Sequence, residues 1–355
     1  MSKEAKYIKI KDDIIESINN GVYKENDKLP SESELTEKYD VSRHTIRAAL
    51  TLLEFEKVIV KEQGLGSFVR KKSTNNIKTV GVITTYLSEY IFPTINRGIE
   101  KVLSENGFSM LLASTNNNIE MERRAIEMML EKGVGGLIVE PTKSAFFNPN
   151  IELYLKIKRM GIPVLMINAQ YDELDFPFIA INDYKSSYTA TRYLVDNNHE
   201  NIGAIFKSDD KQGRERLRGF VKACQDYGID YNSSNVVMFN TENQMEFIEK
   251  EVKKILKNKN ITALVCYNDT VALDVLNICW RSNVKVPEEL SLVSFDNSIL
   301  STISEVKITS INHPKINLGK DAAKEMIKMI NNINYKGKNI IYPVDLDIKE
   351  SVQKL

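Results

Sequence analysis

From Thr79 onward, short apolar runs alternate with helix-length amphipathic stretches, and this alternation restricts the possible folds more than any other feature of the chain. Residues 79–84, TVGVIT, form a continuous apolar strand, 95–106 a helix stopped at Gly107, and 109–113 a second strand. The rhythm repeats: helix 121–131 leads to strand 136–139, helix 151–160 to strand 163–167, and helix 185–197 to strand 201–206. Strands apolar on both faces need cover on both faces, and short connections through helices give parallel neighbours, so the pattern predicts an α/β fold with parallel doubly wound sheets. It continues through 214–227, 236–239, 244–256, 263–267, 269–282 and 290–295, more than one sheet would comfortably hold. Two similar lobes are expected.

The chain before Thr79 has a different texture. Residues 29–53, LPSESELTEKYDVSRHTIRAALTLL, read as two short helices meeting at a tight turn. Pro30 and Ser31 open the first beside Glu32 and Glu34, with Ser31 or Ser33 as the capping side chain. Leu35 and Tyr39 share one face, Asp40 and Val41 make the turn, and Ser42 caps a second helix with apolar positions Ile46, Ala49, Leu50 and Leu53. The other face carries Arg43, His44, Thr45 and Arg47. Cations in a first turn oppose the helix macrodipole, which points to a use beyond helix stability, namely donation to base edges and phosphates in a major groove. A polar first turn with no such use is the alternative. An earlier helix over 5–20 places Ile8, Ile14, Ile15 and Ile18 at helical spacing before Gly21, with Lys6 and Lys9 near its start. Val58–Val60 and Ser67–Val69 read as strands joined by a loop containing Glu62, Gln63, Gly64 and Gly66. The pair Gly64-x-Gly66 lacks the third glycine and the following helix of a dinucleotide site, so it reads as a hairpin tip able to approach a DNA backbone.

Helix one, PSESEL, VSRHTIRAAL and the glycine hairpin together resemble the winged-helix domain of the GntR family of transcription regulators, over about residues 5–70. The expected DNA-facing set is Lys6, Glu32, Ser33, Ser42, Arg43, His44, Thr45, Arg47, Gln63, Gly64 and Gly66. Residues 1–70 are then a DNA-binding domain, and the polar stretch KKSTNNI at 71–77 is a linker. Residues 78–352 resemble the effector-binding domain of the LacI and GalR repressors, through GVITTYLSEYIFPTINRGIE, GLIVEPT, GIPVLMIN, RLRGF, CYND, VPEELSLVSFDN and TSINHPKINLG. The resemblance implies a sensing domain over 78–355, with lobe one at about 78–182 and 311–335 and lobe two at about 183–310 and 336–352. Joined in one chain, the two parts resemble the arabinose-responsive repressors of Gram-positive bacteria.

Ligands of open parallel sheets bind beyond the carboxyl ends of the strands. Those positions hold Thr85, Tyr86, Glu89 and Tyr90, then Asn116, then Glu140 and Lys143, then Asn168 and Gln170, with Asp183 near the first crossing between lobes. The second lobe offers Lys207, Asp210, Gln212, Arg216, Asn268, Asp296 and His313. Carboxylates and amides pair sugar hydroxyls, Arg and Lys donate to several oxygens, and a ring such as Tyr90 or Phe92 covers a C–H face. The effector set is Tyr86, Glu89, Tyr90, Phe92, Asn116, Glu140, Lys143, Asn168, Asp183, Lys207, Gln212, Arg216, Asn268 and Asp296, with Arg216 and Asp296 assigned by similarity to the LacI-type sensors. Each of the others has surface solvation or helix capping as its alternative; Asp183 and Asp269 in particular are candidate N-caps.

Other classes fit poorly. There is no nucleophile beside a base and no P-loop, so an enzyme is not expected. His44, His199 and His313 share no metal-ligand spacing, the three cysteines have no C-x-x-C spacing, and neither metal nor cofactor is expected. The chain has zero net charge, and residues 1–76 carry 14 Lys and Arg against 13 Asp and Glu, so any DNA face depends on how the charges are placed. No run is long enough for a membrane span, and the N-terminus MSKEAKYIKIKDD is charged, so a cytoplasmic protein is expected. The expected function is a dimeric repressor on double-stranded operator DNA, released by L-arabinose and with no membrane partner. A regulator of another sugar, or a cytoplasmic sugar-binding protein with no regulatory role, is the alternative.

Overall fold

The structure, a computed structural model, describes residues 6–24, 26–55, 58–62, 64–69, 78–88, 90–257, 260–332 and 334–355. Two compact units divide the chain, Met1–Ile77 and Lys78–Leu355.

The first unit holds α1 (Lys6–Asn19), α2 (Glu32–Tyr39), α3 (Arg43–Phe55) and an antiparallel hairpin, β1 (Ile59–Glu62) with β2 (Gly66–Val69). A reciprocal capping box starts α2: Glu34 N–H donates to Ser31 Oγ at 3.3 Å and Ser31 N–H to Glu34 Oε2 at 2.6 Å. Asp40, left-handed at φ 50°, ends the helix, and Ser42 Oγ accepts from Thr45 N–H at 3.3 Å to start α3. Ile10, Ile14, Leu35, Ile46, Leu50, Leu53, Ile59 and Val69 form the core, each burial contributing about 1.5–3 kcal/mol. The strands reach further into the hairpin than the sequence suggests. Glu62 pairs with Gly66, so both are strand residues and not part of the connecting loop. Gln63 and the linker 71–77 lie outside the described residues.

The second unit contains two parallel sheets clothed by helices. Its chain runs β3 (Thr79–Thr84), α4 (Phe92–Glu105), β4 (Ser109–Ser114), α5 (Ile119–Glu131), β5 (Gly136–Val139), α6 (Ile151–Arg159), β6 (Val164–Ile167) and β7 (Phe178–Ile181). It continues through α7 (Asp183–Asp196), β8 (Ile202–Lys207), α8 (Lys211–Tyr227), β9 (Val236–Phe239), α9 (Gln244–Lys257), β10 (Ala263–Cys266) and α10 (Asp269–Arg281). The remaining elements are β11 (Ser291–Asp296), α11 (Leu300–Ile303), β12 (Thr309–Asn312), α12 (Lys315–Asn331), β13 (Ile340–Tyr342) and β14 (Leu346–Asp347). Strand order is β13-β7-β6-β5-β3-β4 in lobe one and β14-β12-β11-β10-β8-β9 in lobe two. Only the edge pair β12–β14 is antiparallel among the described sheet pairs of this unit. Strands β5, β6 and β10 are apolar and buried along their whole length, and β8 and β11 are equally buried although they end in Lys207 and Asp296 at the cavity.

The lobe boundaries expected near the C-terminus need correction. β12 belongs to lobe two, so the chain crosses at 313–314 and not before 311. β13 then pairs with β7 in lobe one, Ile340 opposite Ile179, and the last crossing falls at 343–345 and not at 336. Short edge strands join a sheet through pairing with residues far away in the chain, which leaves no local sign of which sheet they enter. β7, an apolar strand of only four residues between β13 and β6, was not expected from the sequence. Helix α12 packs on lobe one, Leu318, Ala322 and Met326 meeting Ile95 and Ile99 of α4. No helix among the described residues is long and apolar enough to cross a membrane.

Candidate functional site

On α3, Arg43, His44 and Arg47 are exposed, and no acid occupies its first turn. Helix α2 holds two of them: Arg43 Nη2 donates to Ser33 Oγ at 3.2 Å and Arg47 Nε to Glu32 Oε2 at 2.9 Å. Thr45 is half-buried, its hydroxyl 2.9 Å from that of Ser42. Glu32 and Ser33 therefore orient the arginines in the free unit. Lys6 is exposed at the start of α1; Gly64 and Gly66, at φ 79° and 117°, are exposed at the hairpin end. Such positive φ favours glycine, and with no side chain it leaves the backbone N–H open to approach.

The second unit has a cavity of about 200 Å³ between its lobes, beyond the carboxyl ends of the central strands. This is smaller than the roughly 300–1,000 Å³ of drug-sized pockets and suits a small solute. At its centre Arg216, 3% exposed, leaves α8. Its Nε donates to Asp183 Oδ1 at 2.8 Å, Nη1 to the Tyr267 carbonyl, and Nη2 to Asp296 Oδ1 at 3.5 Å, while the guanidinium lies 4.4 Å from the Phe295 ring centroid. Burial opposes its charge, but Asp183 and Asp296 outweigh that and raise its pKa. Burial pushes Asp183 up to about 7 against the pull of Arg216. Lys207 stands 3.4 Å from Asp210 and 3.6 Å from Asp209, which raise its pKa despite its burial.

In lobe one, Glu140 accepts from Thr85 N–H and Asn168 Nδ2, each at 2.8 Å, and burial raises its pKa. Asn168 Oδ1 lies 3.2 Å from His313 Nε2, and burial holds His313 down to about 4, so it is neutral near pH 7. Tyr86, Tyr90, Phe92, Gln212 and Asn268 complete the part of the lining expected from the sequence. His313 Nδ1 and Gln212 Oε1 are buried with no hydrogen-bond partner among the described residues. Both are polar atoms suited to a ligand's hydroxyls.

Two expected residues lie elsewhere. Asn116 is exposed and does not line the cavity; consecutive left-handed residues at φ 47° and 53° turn the chain so that Asn117 does. Lys143 lies on the seam between the lobes, paired with Glu242 and 3.8 Å from buried Asp209. Glu89 lies outside the described residues. Asn182, not Asp183, caps α7, and Asn268, not Asp269, caps α10, which frees both aspartates for other bonds. Asp183 takes Arg216, and Asp269 takes Ser294, Ser310 and the Ser298 N–H. Sequence reading missed Asn117, Gln244, Tyr267 and Thr270. Asn117 and Tyr267 were legible as residues just beyond β4 and β10, whereas Gln244 and Thr270 start helices and gave no signal. The seam is also bridged by Asn117 Nδ2 to Asp209 Oδ2 at 3.2 Å and by Tyr90 Oη to the Phe295 carbonyl at 3.1 Å.

Comparison with known proteins agrees with both halves. Residues 6–69 match the family described as bacterial regulatory proteins, gntR family, and residues 191–352 match the periplasmic binding protein-like domain. An arabinose metabolism transcriptional repressor of Halalkalibacterium halodurans is 46% identical over 336 residues, 92% of this chain and 90% of that protein. The protein of the same name from Geobacillus stearothermophilus is 38% identical, covering 99% of this chain and 98% of its own. Among solved structures, the transcription regulator CcpA of Lactococcus lactis superposes with a TM-score of 0.69 at 24% identity, over 78% of this chain and 99% of that one, a likeness of fold. With a GntR-type DNA-binding unit, a sensor-like unit and this identity along nearly the whole chain, the protein belongs to the family of arabinose metabolism transcriptional repressors, regulators and not enzymes.

Proposed function

We propose that this repressor binds operator DNA as a homodimer, reading bases with Arg43, His44 and Arg47 of α3, and that L-arabinose in the cavity between its lobes releases it. Residues 1–70 are the reader, 71–77 the linker and 78–355 the sensor, acting in the cytoplasm. The observation that carries the sensor reading is the chemistry of the cavity wall. Glu140, Asp183, Asp210 and Asp296 outnumber Lys207 and Arg216, and both cations are already engaged by carboxylates. A phosphorylated or acidic ligand would gain little there, whereas a neutral polyol can donate to the carboxylates and meet His313 Nδ1 and Gln212 Oε1. The names of the two relatives, arabinose metabolism transcriptional repressors, support arabinose among such polyols.

Regulation then follows from differential affinity. Sugar held by residues of both lobes favours their closed arrangement, and the dimer bound to DNA favours another. Linkage requires each ligand to weaken the other by the same factor. The test is operator binding measured across an L-arabinose titration, beside a panel of other pentoses and hexoses. Operator affinity is expected to fall with L-arabinose; an affinity unchanged at saturation would end the regulatory reading, and a response to another sugar alone would replace the effector.

A further inference from the structure

Beyond the cavity wall, the carboxyl end of β11 is held in an unusual way. Three successive carbonyls, those of Phe295, Asp296 and Asn297, accept hydrogen bonds from side chains rooted in lobe one, although β11 belongs to lobe two. Tyr90 supplies the first. Lys315 Nζ donates to the Asp296 carbonyl at 2.5 Å and the Asn297 carbonyl at 3.0 Å, and its third bond goes to the His313 carbonyl at 3.2 Å.

Lys315 is in a poor place for a lysine that serves only its helix. It begins α12, a helix with no side-chain cap and no acid in its first turn, so its charge opposes the macrodipole. Burial disfavours the charge further and lowers its pKa. What compensates is the use of all three ammonium protons on carbonyls. Two of these belong to left-handed residues that are not glycine, Asp296 at φ 89° and Asn297 at φ 41°. That backbone turn is what aims the Asp296 carboxylate at Arg216 and the cavity.

We propose that Lys315, which does not line the cavity, is a positioning residue for the effector. It fixes the turn that presents Asp296 and, because α12 packs on lobe one, makes that presentation depend on how the lobes are arranged. The inference rests on the cavity being the L-arabinose site.

The test is calorimetry of the full chain with L-arabinose, beside thermal unfolding with and without the sugar. Lys315→Met keeps much of the apolar stem and removes the donors. It is expected to bind roughly ten-fold more weakly and to lose much of the sugar-induced rise in unfolding temperature, while unfolding without sugar and operator binding without sugar stay near wild type. Lys315→Arg, which restores donors at the same place, is expected to recover most of the affinity. Wild-type affinity in Lys315→Met would overturn the inference, as would a loss that Lys315→Arg does not relieve or that only mirrors a fall in stability without sugar. Failure of the wild-type protein itself to bind L-arabinose would instead overturn the effector reading.

Discussion

Arg216 stands between two carboxylates in a space almost closed to solvent, so its value lies in what its removal would leave behind. Arg216→Ala leaves the buried carboxyls of Asp183 and Asp296 without the guanidinium that donates to them. The expected cost is about 3–5 kcal/mol of stability, seen in urea unfolding, with loss of the calorimetric response to L-arabinose. His313 gives a pH signature. Its folded value of about 4 lies below the ordinary 6.5, so the unfolded chain takes up the proton first as pH falls. Its stabilising contribution is present above pH 6.5 and is lost as pH falls through about 4, by up to about 3 kcal/mol. Asp183, raised to about 7, works oppositely: its contribution is present below 3.8 and lost as pH rises through about 7. His313→Gln leaves Asp183 in place, so between pH 6.5 and 4 the urea midpoint of wild type should fall relative to the variant. A constant difference across that range would show that the histidine is not held neutral.

At the scale of elements, α4 and α12 approach so closely that two glycines are obligatory at their contact. A methyl on Gly319 would sit 2.2 Å from the Ile95 carbonyl oxygen, and one on Gly98 2.5 Å from that of Ile316. Gly319→Ala is expected to force the helices apart and cost about 1–3 kcal/mol in urea unfolding. Because α12 carries Lys315, weaker sugar binding should accompany it. On α3, Arg43→Ala or Arg47→Ala should weaken operator binding by about 1–3 kcal/mol and leave sugar affinity unchanged. Equal losses on operator and random DNA in a gel-shift titration would reduce these arginines to phosphate contacts. α3 was legible because its caps, its apolar spacing and its misplaced cations are all local. The Glu32–Arg47 bond, spanning fifteen positions and two helices, was not.

The whole molecule needs a second copy if it is to read paired half-sites. On lobe two, Trp280 is 73% exposed and Ile299 and Ile303 are each 67% exposed. Trp280 also borders an open groove lined by Leu276, Val284 and Val306. For the proposed homodimer, the groove beside Trp280 is the face we test as the contact. Trp280→Glu is expected to shift the protein toward monomer in sedimentation and to weaken operator binding, with sugar affinity retained. A variant that stays dimeric would place the contact elsewhere.

The two units and the type of nearly every long element were legible in the order of the residues, because apolar period, caps and glycine stops act over a few positions. It also placed most of the cavity wall, since a parallel sheet delivers the residues after each strand to one edge. That Asn117 and not Asn116 faces inward, that Lys143 bridges the lobes, that β13 returns to lobe one and that Lys315 donates to the Asp296 carbonyl came only with the folded chain. Those outcomes depend on single backbone turns and on partners from 19 to about 160 positions away, and nothing within a residue's own neighbourhood in the chain encodes them.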